Sequence, residues 1–168
     1  MEYLHYTDSP LGRIMLSGCG ENNSLTGLWF EGQKYFAADV EQPASEKFIP
    51  VFGEAEKWLE IYFTGKDPGF TPRLAPKGTP FQKEVWDILL TIPYGQTVTY
   101  GYIASIIAEK RGIKRFSAQA VGGAVGHNPI SLIIPCHRVI GADGSLTGYG
   151  GGLDRKASLL KSEGSLRR

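Results

Sequence analysis

Polar and apolar residues alternate along the first thirty positions of the chain. Residues 2–7, 12–19 and 24–30 carry alternating or β-rich patterns, and the breaks between them, Asp8-Ser9-Pro10-Leu11-Gly12 and Gly20-Glu21-Asn22-Asn23, are made of turn formers. The pattern predicts a small antiparallel meander. The period then changes. Val51, Ala55, Trp58, Leu59, Tyr62 and Phe63 recur at helical spacing over 50–64, with Gly65 as a stop signal, and Trp58 and its neighbours read as core. A connector rich in glycine and proline follows (Gly65, Pro68, Gly69, Pro72, Pro76, Gly78), which places a domain boundary near residue 78 and divides the chain into 1–78 and 79–168.

The second half is patterned for helices. Thr79 is a good N-cap, Pro80 suits the first helical position, and Gln82 completes a capping box. Phe81, Val85, Trp86, Leu89 and Leu90 form one apolar stripe, and the helix must end before Pro93. After the turn Pro93-Tyr94-Gly95, Thr99 caps a second helix with Ile103, Ile106 and Ile107 facing inward. Residues 109–116 read as a loop carrying Lys110, Arg111, Lys114 and Arg115, and Ser117 caps a third helix that runs to about Gly126. The pair suggests a helix-turn-helix over about 99–127. Gly122 and Gly123 sit inside the third helix, where each costs roughly 1 kcal/mol against alanine. They serve either close helix packing or a smooth face (Ala118, Gly122, Ala124, Gly126) open to another backbone, and the basic loop beside it suits a phosphate chain. Asn128-Pro129 ends the helix, and the apolar run Ile130-Ser131-Leu132-Ile133-Ile134 reads as a short buried strand leading to Pro135-Cys136-His137-Arg138. The predicted fold class is α+β. A small N-terminal domain has an antiparallel sheet and a helix. A mostly helical C-terminal domain has a helix-turn-helix and a short strand carrying Cys136.

Composition changes this picture little. The 168 residues, 42% hydrophobic and 21% charged, suit one domain of good size or two small ones. A formal net charge of +1 argues neither for nor against nucleic acid, so any basic footprint must be local. No secretory signal and no membrane-length apolar stretch is evident, which points to a cytoplasmic protein with no membrane partner. A disulfide between Cys19 and Cys136 is therefore not expected, and Cys19 is given no role. His5, His127, His137 and the cysteines are scattered, so no metal is assigned.

Cys136 is the candidate for chemistry. A thiol in an apolar wall is inert, but His137 and Arg138 follow it at once and bring charge that lowers a thiol pKa. A free cysteine with a pKa of about 8.5 is only a few per cent thiolate at neutral pH, and each unit of lowering favours the charged form by roughly 1.4 kcal/mol. From these four residues alone, a core cysteine followed by a surface His-Arg pair stands beside the reactive reading.

Six stretches occur in a telling order: Gly78-Thr79-Pro80-Phe81-Gln82, Ile92-Pro93-Tyr94-Gly95, Ala120-Val121-Gly122-Gly123-Ala124, Asn128-Pro129, Ile134-Pro135-Cys136-His137-Arg138-Val139 and Gly148-Tyr149-Gly150-Gly151-Gly152-Leu153. Lys156, Leu159-Leu160 and Glu163 complete the set. Together they resemble the O6-alkylguanine-DNA alkyltransferases, densely over 78–164 and only in length and general pattern before that. The resemblance implies DNA repair by direct reversal. An alkyl group moves once and irreversibly from the O6 of guanine, in a duplex bound through the minor groove with the base flipped out, to the protein's own cysteine; activity on alkylthymine is left open.

The residue roles come with the resemblance. Cys136 is the nucleophile, His137 takes its proton through a bound water, Glu163 orients the histidine, Asn128 ties the helix-turn-helix to the cysteine segment, and Tyr100 donates a hydrogen bond to the leaving purine. Pro135, Val139, Tyr149, Gly150 and Gly151 wall the alkylguanine pocket. Ala118, Gln119, Gly122, Gly123, Lys114, Arg115, Tyr100 and Arg138 face DNA. No cofactor is implied, the partner is double-stranded DNA containing O6-alkylguanine, and the chain is taken as a monomer. Two departures stand out. Gln119 occupies a position where the family often has an arginine that enters the base stack, and the basic loop at 109–116 is longer than usual. The first implies weaker DNA binding and the second a compensating set of phosphate contacts. Three rivals are weaker: a cysteine hydrolase lacks a recognisable signature here, a binding-only relative would lack Cys136, and a plain helix-turn-helix regulator leaves Cys136-His137-Arg138 unexplained.

Overall fold

In the computed structural model, which describes residues 1–34, 36–37, 40, 44–147, 149 and 151–165, the alternating N-terminal segments pair as the turn residues demand. Strands β1 (Glu2–Thr7), β2 (Ile14–Cys19) and β3 (Ser24–Phe30) form an antiparallel meander, and a short β4 (Ser45–Glu46) adds in parallel beside β1. Helix α1 (Pro50–Tyr62) packs against β2 and β3 through Val51, Phe52, Ala55 and Leu59. The approach is close. A β-carbon added at Gly18 would lie 2.9 Å from the Ile49 side chain, so glycine there admits the start of the helix.

Contacts divide the chain into two units. The first is Met1–Lys77 with Pro129–Ile133; the second is Gly78–Asn128 with Ile134–Arg168. Residues 129–133, which the pattern assigned to the second half, thus group with the first. The strand expected there does not form. Ile130 makes a single parallel bridge to Leu28, Ser131 donates to the Leu28 carbonyl at 3.0 Å, and Leu132 already turns away with φ of 70°. Pro129 and Pro135 remove backbone donors at both ends, and a short apolar run does not by itself separate a buried strand from a buried irregular segment. Every residue from Ile130 to Val139 is buried all the same.

The second unit is built on α2 (Pro80–Leu89), α3 (Tyr100–Arg111), α4 (Ala118–Gly126) and α5 (Leu153–Ser162), with a two-stranded parallel ribbon of β5 (Val98–Thr99) and β6 (Val139–Ile140). The capping box at Thr79 and Gln82 is formed in full, and Thr99 and Ser117 cap α3 and α4. Helix α4 packs on α2 and α3, and Trp86 Nε1 donates to the Ala124 carbonyl at 2.9 Å. Two expectations need correction. Leu90, placed in the apolar stripe, lies past the end of α2 and is exposed. The basic loop is shorter than 109–116, because α3 continues through Arg111. Its polar last turn ends at Gly112 (φ 66°), where Ile113 N–H reaches back to the Ala108 carbonyl at 3.0 Å. A glycine in the left-handed region and two cations at the negative helix end make a good terminus that the apolar periodicity does not reveal. Among the described residues, no helix is long and apolar enough to cross a membrane.

Candidate active site

Cys136 does not lie on an extended strand. Pro135, with ψ of 65°, turns the chain into one 3-10 turn, Cys136–Arg138, closed by Arg138 N–H on the Pro135 carbonyl at 3.0 Å. In such a turn neighbouring side chains are not held on opposite faces as they are on an extended strand. All three residues of the turn are buried, and Cys136 as a whole is 6% exposed.

Beyond the turn, β6 pairs with β5 in the register Val98↔Val139 and Thr99↔Ile140. This short ladder fixes the start of α3, and with it Tyr100, beside the cysteine. Nothing in the local pattern signals the pairing, because each strand has only two residues. Asn128, just past α4, donates from Nδ2 to the Ile134 carbonyl at 2.8 Å and hydrogen-bonds the Cys136 thiol. It joins the end of α4 to the segment entering the reactive turn.

Helix α5 supplies the charges. Lys156, Leu159, Leu160 and Glu163 recur at helical spacing and share its buried side. Two ionisable residues on an apolar stripe are a signal that the sequence itself carries. Glu163 Oε2 lies 2.6 Å from His137 Nε2, while Oε1 accepts from Arg138 Nε at 2.8 Å. A second guanidinium nitrogen reaches Glu163 Oε2 at 3.2 Å, and the third donates to the Ile92 carbonyl at 2.7 Å. Arg138, expected on the DNA side, is therefore buried and committed to Glu163. Glu163 is buried rather than solvated at the helix end.

Protonation follows from these partners. Burial pushes the Glu163 carboxyl upward, but His137 and Arg138 outweigh it and bring its pKa down to about 2. Burial, aided by Arg138 and Lys156, holds His137 below its ordinary value against the pull of Glu163. A neutral imidazole facing a carboxylate must donate through Nε2, which leaves the lone pair on the buried Nδ1. Burial also raises the Cys136 thiol, opposed by Asn128, Lys156 and backbone N–H groups. The expected lowering of this pKa is reversed at rest: Arg138 is spent on Glu163 and the thiol is buried. The resting pair is thiol and neutral imidazole, so deprotonation has to accompany the reaction.

Sequence comparison now decides the family. Residues 80–165 match the family described as 6-O-methylguanine DNA methyltransferase, DNA binding domain, and residues 3–76 match 6-O-methylguanine DNA methyltransferase, ribonuclease-like domain. The chain belongs to this family. It is 45% identical over 163 residues to the methylated-DNA–protein-cysteine methyltransferase of Methanosarcina acetivorans, covering 97% of this chain and 99% of the relative. To the Mycobacterium tuberculosis protein of the same name it is 46% identical over 167 residues, covering 96% and 93%. The crystal structure of Mycobacterium tuberculosis OGT in complex with DNA superposes with a TM-score of 0.81 at 44% identity, covering 97% of this chain and 93% of that one.

Several other residues that the resemblance assigned to the methyltransferase site lie near the turn. Tyr100 is half-buried and donates to the Thr147 carbonyl at 3.0 Å. Pro135, Val139 and Tyr149 are buried, and the Tyr149 ring meets that of His137 edge-on at 6.4 Å. Gly151 is buried where a β-carbon would lie 2.5 Å from the Tyr149 ring. Gly148 and Gly150 lie outside the described residues.

On α4, Ala118, Gln119 and Gly123 are exposed and Gly122 partly so, while Ala124, expected on the same smooth face, is buried. Close intramolecular packing does not explain the glycines. A β-carbon at Gly123 would meet nothing within 4 Å, and one at Gly122 only the Tyr100 ring at 3.7 Å. Lys114 and Arg115 are exposed in the turn before α4. Arg111 is not available with them. It pairs with Glu84 at 2.9 Å and lies over the Phe116 ring at 4.9 Å.

Proposed function

We propose that this protein repairs alkylated DNA by moving an alkyl group from the O6 of guanine to Sγ of Cys136, once per molecule. The observation that carries the reading is the buried sequence of groups Cys136, His137 and Glu163, with the 2.6 Å His137–Glu163 contact fixing the imidazole so that Nδ1 is basic. Names and sequences of the relatives agree with it.

The thiol proton passes to His137 Nδ1 through an intervening water. Glu163 stabilises the imidazolium that results, the logic of a base with its orienting acid. Sγ attacks the alkyl carbon in line with the O6–C bond. The C–S bond forms, the C–O bond breaks, and its electron pair stays on guanine. Tyr100 donates its hydroxyl hydrogen bond to the departing purine, where negative charge grows. Lys156, close enough to stabilise charge at Cys136, offsets the thiolate as it forms. A thioether cannot be hydrolysed by any group in this site, so the protein is consumed.

The thiol is recessed, and the reactive carbon is on a base within a duplex, so the base must be extruded, at a few kcal/mol. The smooth face of α4 offers a surface for entry through the minor groove, whose degenerate pattern suits a protein that acts at any sequence. Gln119 takes the place of the flipped base, and Lys114 and Arg115 contact phosphates. The protein works as a monomer.

The test is to mix the protein with a duplex carrying O6-methylguanine and to weigh it. One methyl group gained on the peptide holding Cys136, once per molecule, supports the proposal. Repeated turnover, no mass gain, or full repair by Cys136→Ser would overturn it.

A further inference from the structure

Gln33 is a buried polar residue in the turn that follows β3, and no step of the transfer uses it. Its side chain folds back on its own strand. Gln33 N–H donates to the Phe30 carbonyl and Phe30 N–H donates to Gln33 Oε1, both at 3.0 Å. The same Oε1 accepts a second hydrogen bond, from the Ser131 hydroxyl at 3.2 Å. A carbonyl oxygen has two lone pairs, so both are used. Ser131 is itself only 1% exposed.

Ser131 begins the approach to the nucleophile. Strand β3 lies at one edge of its sheet, and Leu28 bonds the segment beside it through its backbone. Leu28 N–H donates to the Pro129 carbonyl at 2.8 Å, and Ser131 N–H donates to the Leu28 carbonyl at 3.0 Å. The chain then reverses twice. Ile133 N–H donates to the Ser131 carbonyl at 2.9 Å around Leu132, whose φ of 70° is the rare, strained form of this three-residue turn. Cys136 N–H donates to the Ile134 carbonyl at 2.8 Å around Pro135, whose φ of -80° and ψ of 65° are the relaxed form. Two tight turns leave little slack between Ser131 and Cys136. A fully buried leucine keeps a left-handed conformation only where its surroundings fix it. The anchors on the Ser131 side are the two backbone bonds to Leu28 and the side-chain bond to Gln33.

We propose that Gln33 is a positioning residue for alkyl transfer. By holding the Ser131 hydroxyl it keeps the strained turn at Leu132 in place, and so sets the line along which Cys136 Sγ meets the alkyl carbon. This inference rests on the alkyl-transfer reading. In-line displacement is sensitive to that line, and an ångström of misplacement costs about a hundredfold in rate. Without Gln33 the Ser131 hydroxyl loses its acceptor inside the protein, where an unmade hydrogen bond is unfavourable, and the turn relaxes toward a commoner geometry. Duplex binding is separable from this effect, since neither residue lies on α4.

Single-turnover transfer from a saturating O6-methylguanine duplex, affinity for undamaged duplex and Tm should be measured for Gln33→Met, Ser131→Ala, the double variant and Ser17→Ala. Ser131→Ala removes one oxygen and leaves Gln33 Oε1 its bond to Phe30, so it covers the case in which Gln33→Met does not fold. Ser17→Ala breaks another buried hydroxyl bond of the same sheet, Ser17 to Thr26 at 2.8 Å, and controls for stability. Gln33→Met and Ser131→Ala are expected to slow transfer on the order of tenfold, a partial loss of alignment, with affinity within about twofold of wild type. The double variant should be no slower than the slower single variant, because the same bond is removed. Ser17→Ala should lower Tm and keep the wild-type rate. A Ser131→Ala rate equal to wild type, a double variant whose loss is the product of the two single losses, or a Ser17→Ala rate as low as that of Ser131→Ala overturns the inference and leaves the alkyl-transfer reading intact. A wild type that never methylates Cys136 overturns both.

Discussion

His137 Nε2 lies 2.6 Å from Glu163 Oε2, and neither side chain has any solvent exposure. One carboxylate thereby sets the tautomer of the histidine and neutralises Arg138 on its other side.

Glu163 links folding to pH. Its folded pKa of about 2 lies below the ordinary 4.5, so its contribution is complete above pH 4.5 and is lost as pH falls toward 2. The shift corresponds to at most about 3 kcal/mol. Glu163→Gln leaves Arg138 buried without its anion, which costs about 3–5 kcal/mol. Urea denaturation of wild type and variant across acid pH should show the variant less stable at pH 7 and with a weaker loss on acidification.

The thiol should be poorly ionised in the absence of DNA. Asn128 is one of the groups that lower its pKa against burial. Asn128→Ala should raise that pKa further and slow transfer on the order of tenfold, the scale of one lost hydrogen bond to a charged group. Thiolate ultraviolet absorbance followed with pH, together with the single-turnover rate, checks both halves; an Asn128→Ala titration matching wild type would refute the assignment.

Gly123 should trade stability for binding. Its β-carbon position is open, so Gly123→Ala should stabilise α4 by about 0.5–1 kcal/mol. The same methyl group should weaken duplex binding several-fold if a DNA backbone approaches this face. Thermal melting and an affinity titration separate the two effects, and unchanged affinity would remove α4 from the interface.

The cations near α4 should divide into two kinds. Neutralising Lys114 and Arg115 should lower the slope of log affinity against log salt by about 1 per lost phosphate contact. Neutralising Arg111 should instead disturb its contacts with Glu84 and Phe116 and leave the slope nearly unchanged. Gln119→Arg should tighten binding and speed repair. Equal affinity and rate for Gln119→Arg would show that this position stays outside the base stack.

Alkylation should loosen the fold. A methyl group on the sulfur of the buried Cys136 enlarges a filled site, and overpacking of this kind costs about 1–3 kcal/mol. Calorimetry before and after reaction should show a lower Tm for the methylated protein.

The sequence by itself determined the elements whose signals are local. The meander follows from alternation and turn residues, and α2, α3 and α4 begin where Thr79, Thr99 and Ser117 cap them. The ordered motifs named the family and singled out Cys136, His137, Asn128 and Glu163. Tertiary structure decided what those residues face. Only the packing of α5 against the reactive turn shows that Arg138 belongs to Glu163 rather than to DNA, and only the pairing of β5 with β6 brings Tyr100 to the Thr147 carbonyl. It also decided that Cys136 opens a 3-10 turn and that its thiol rests protonated. The physical reason is common to all of these. Caps and periodicity act between residues a few positions apart, whereas burial and charge pairing depend on groups far apart in the chain that only the folded state brings together.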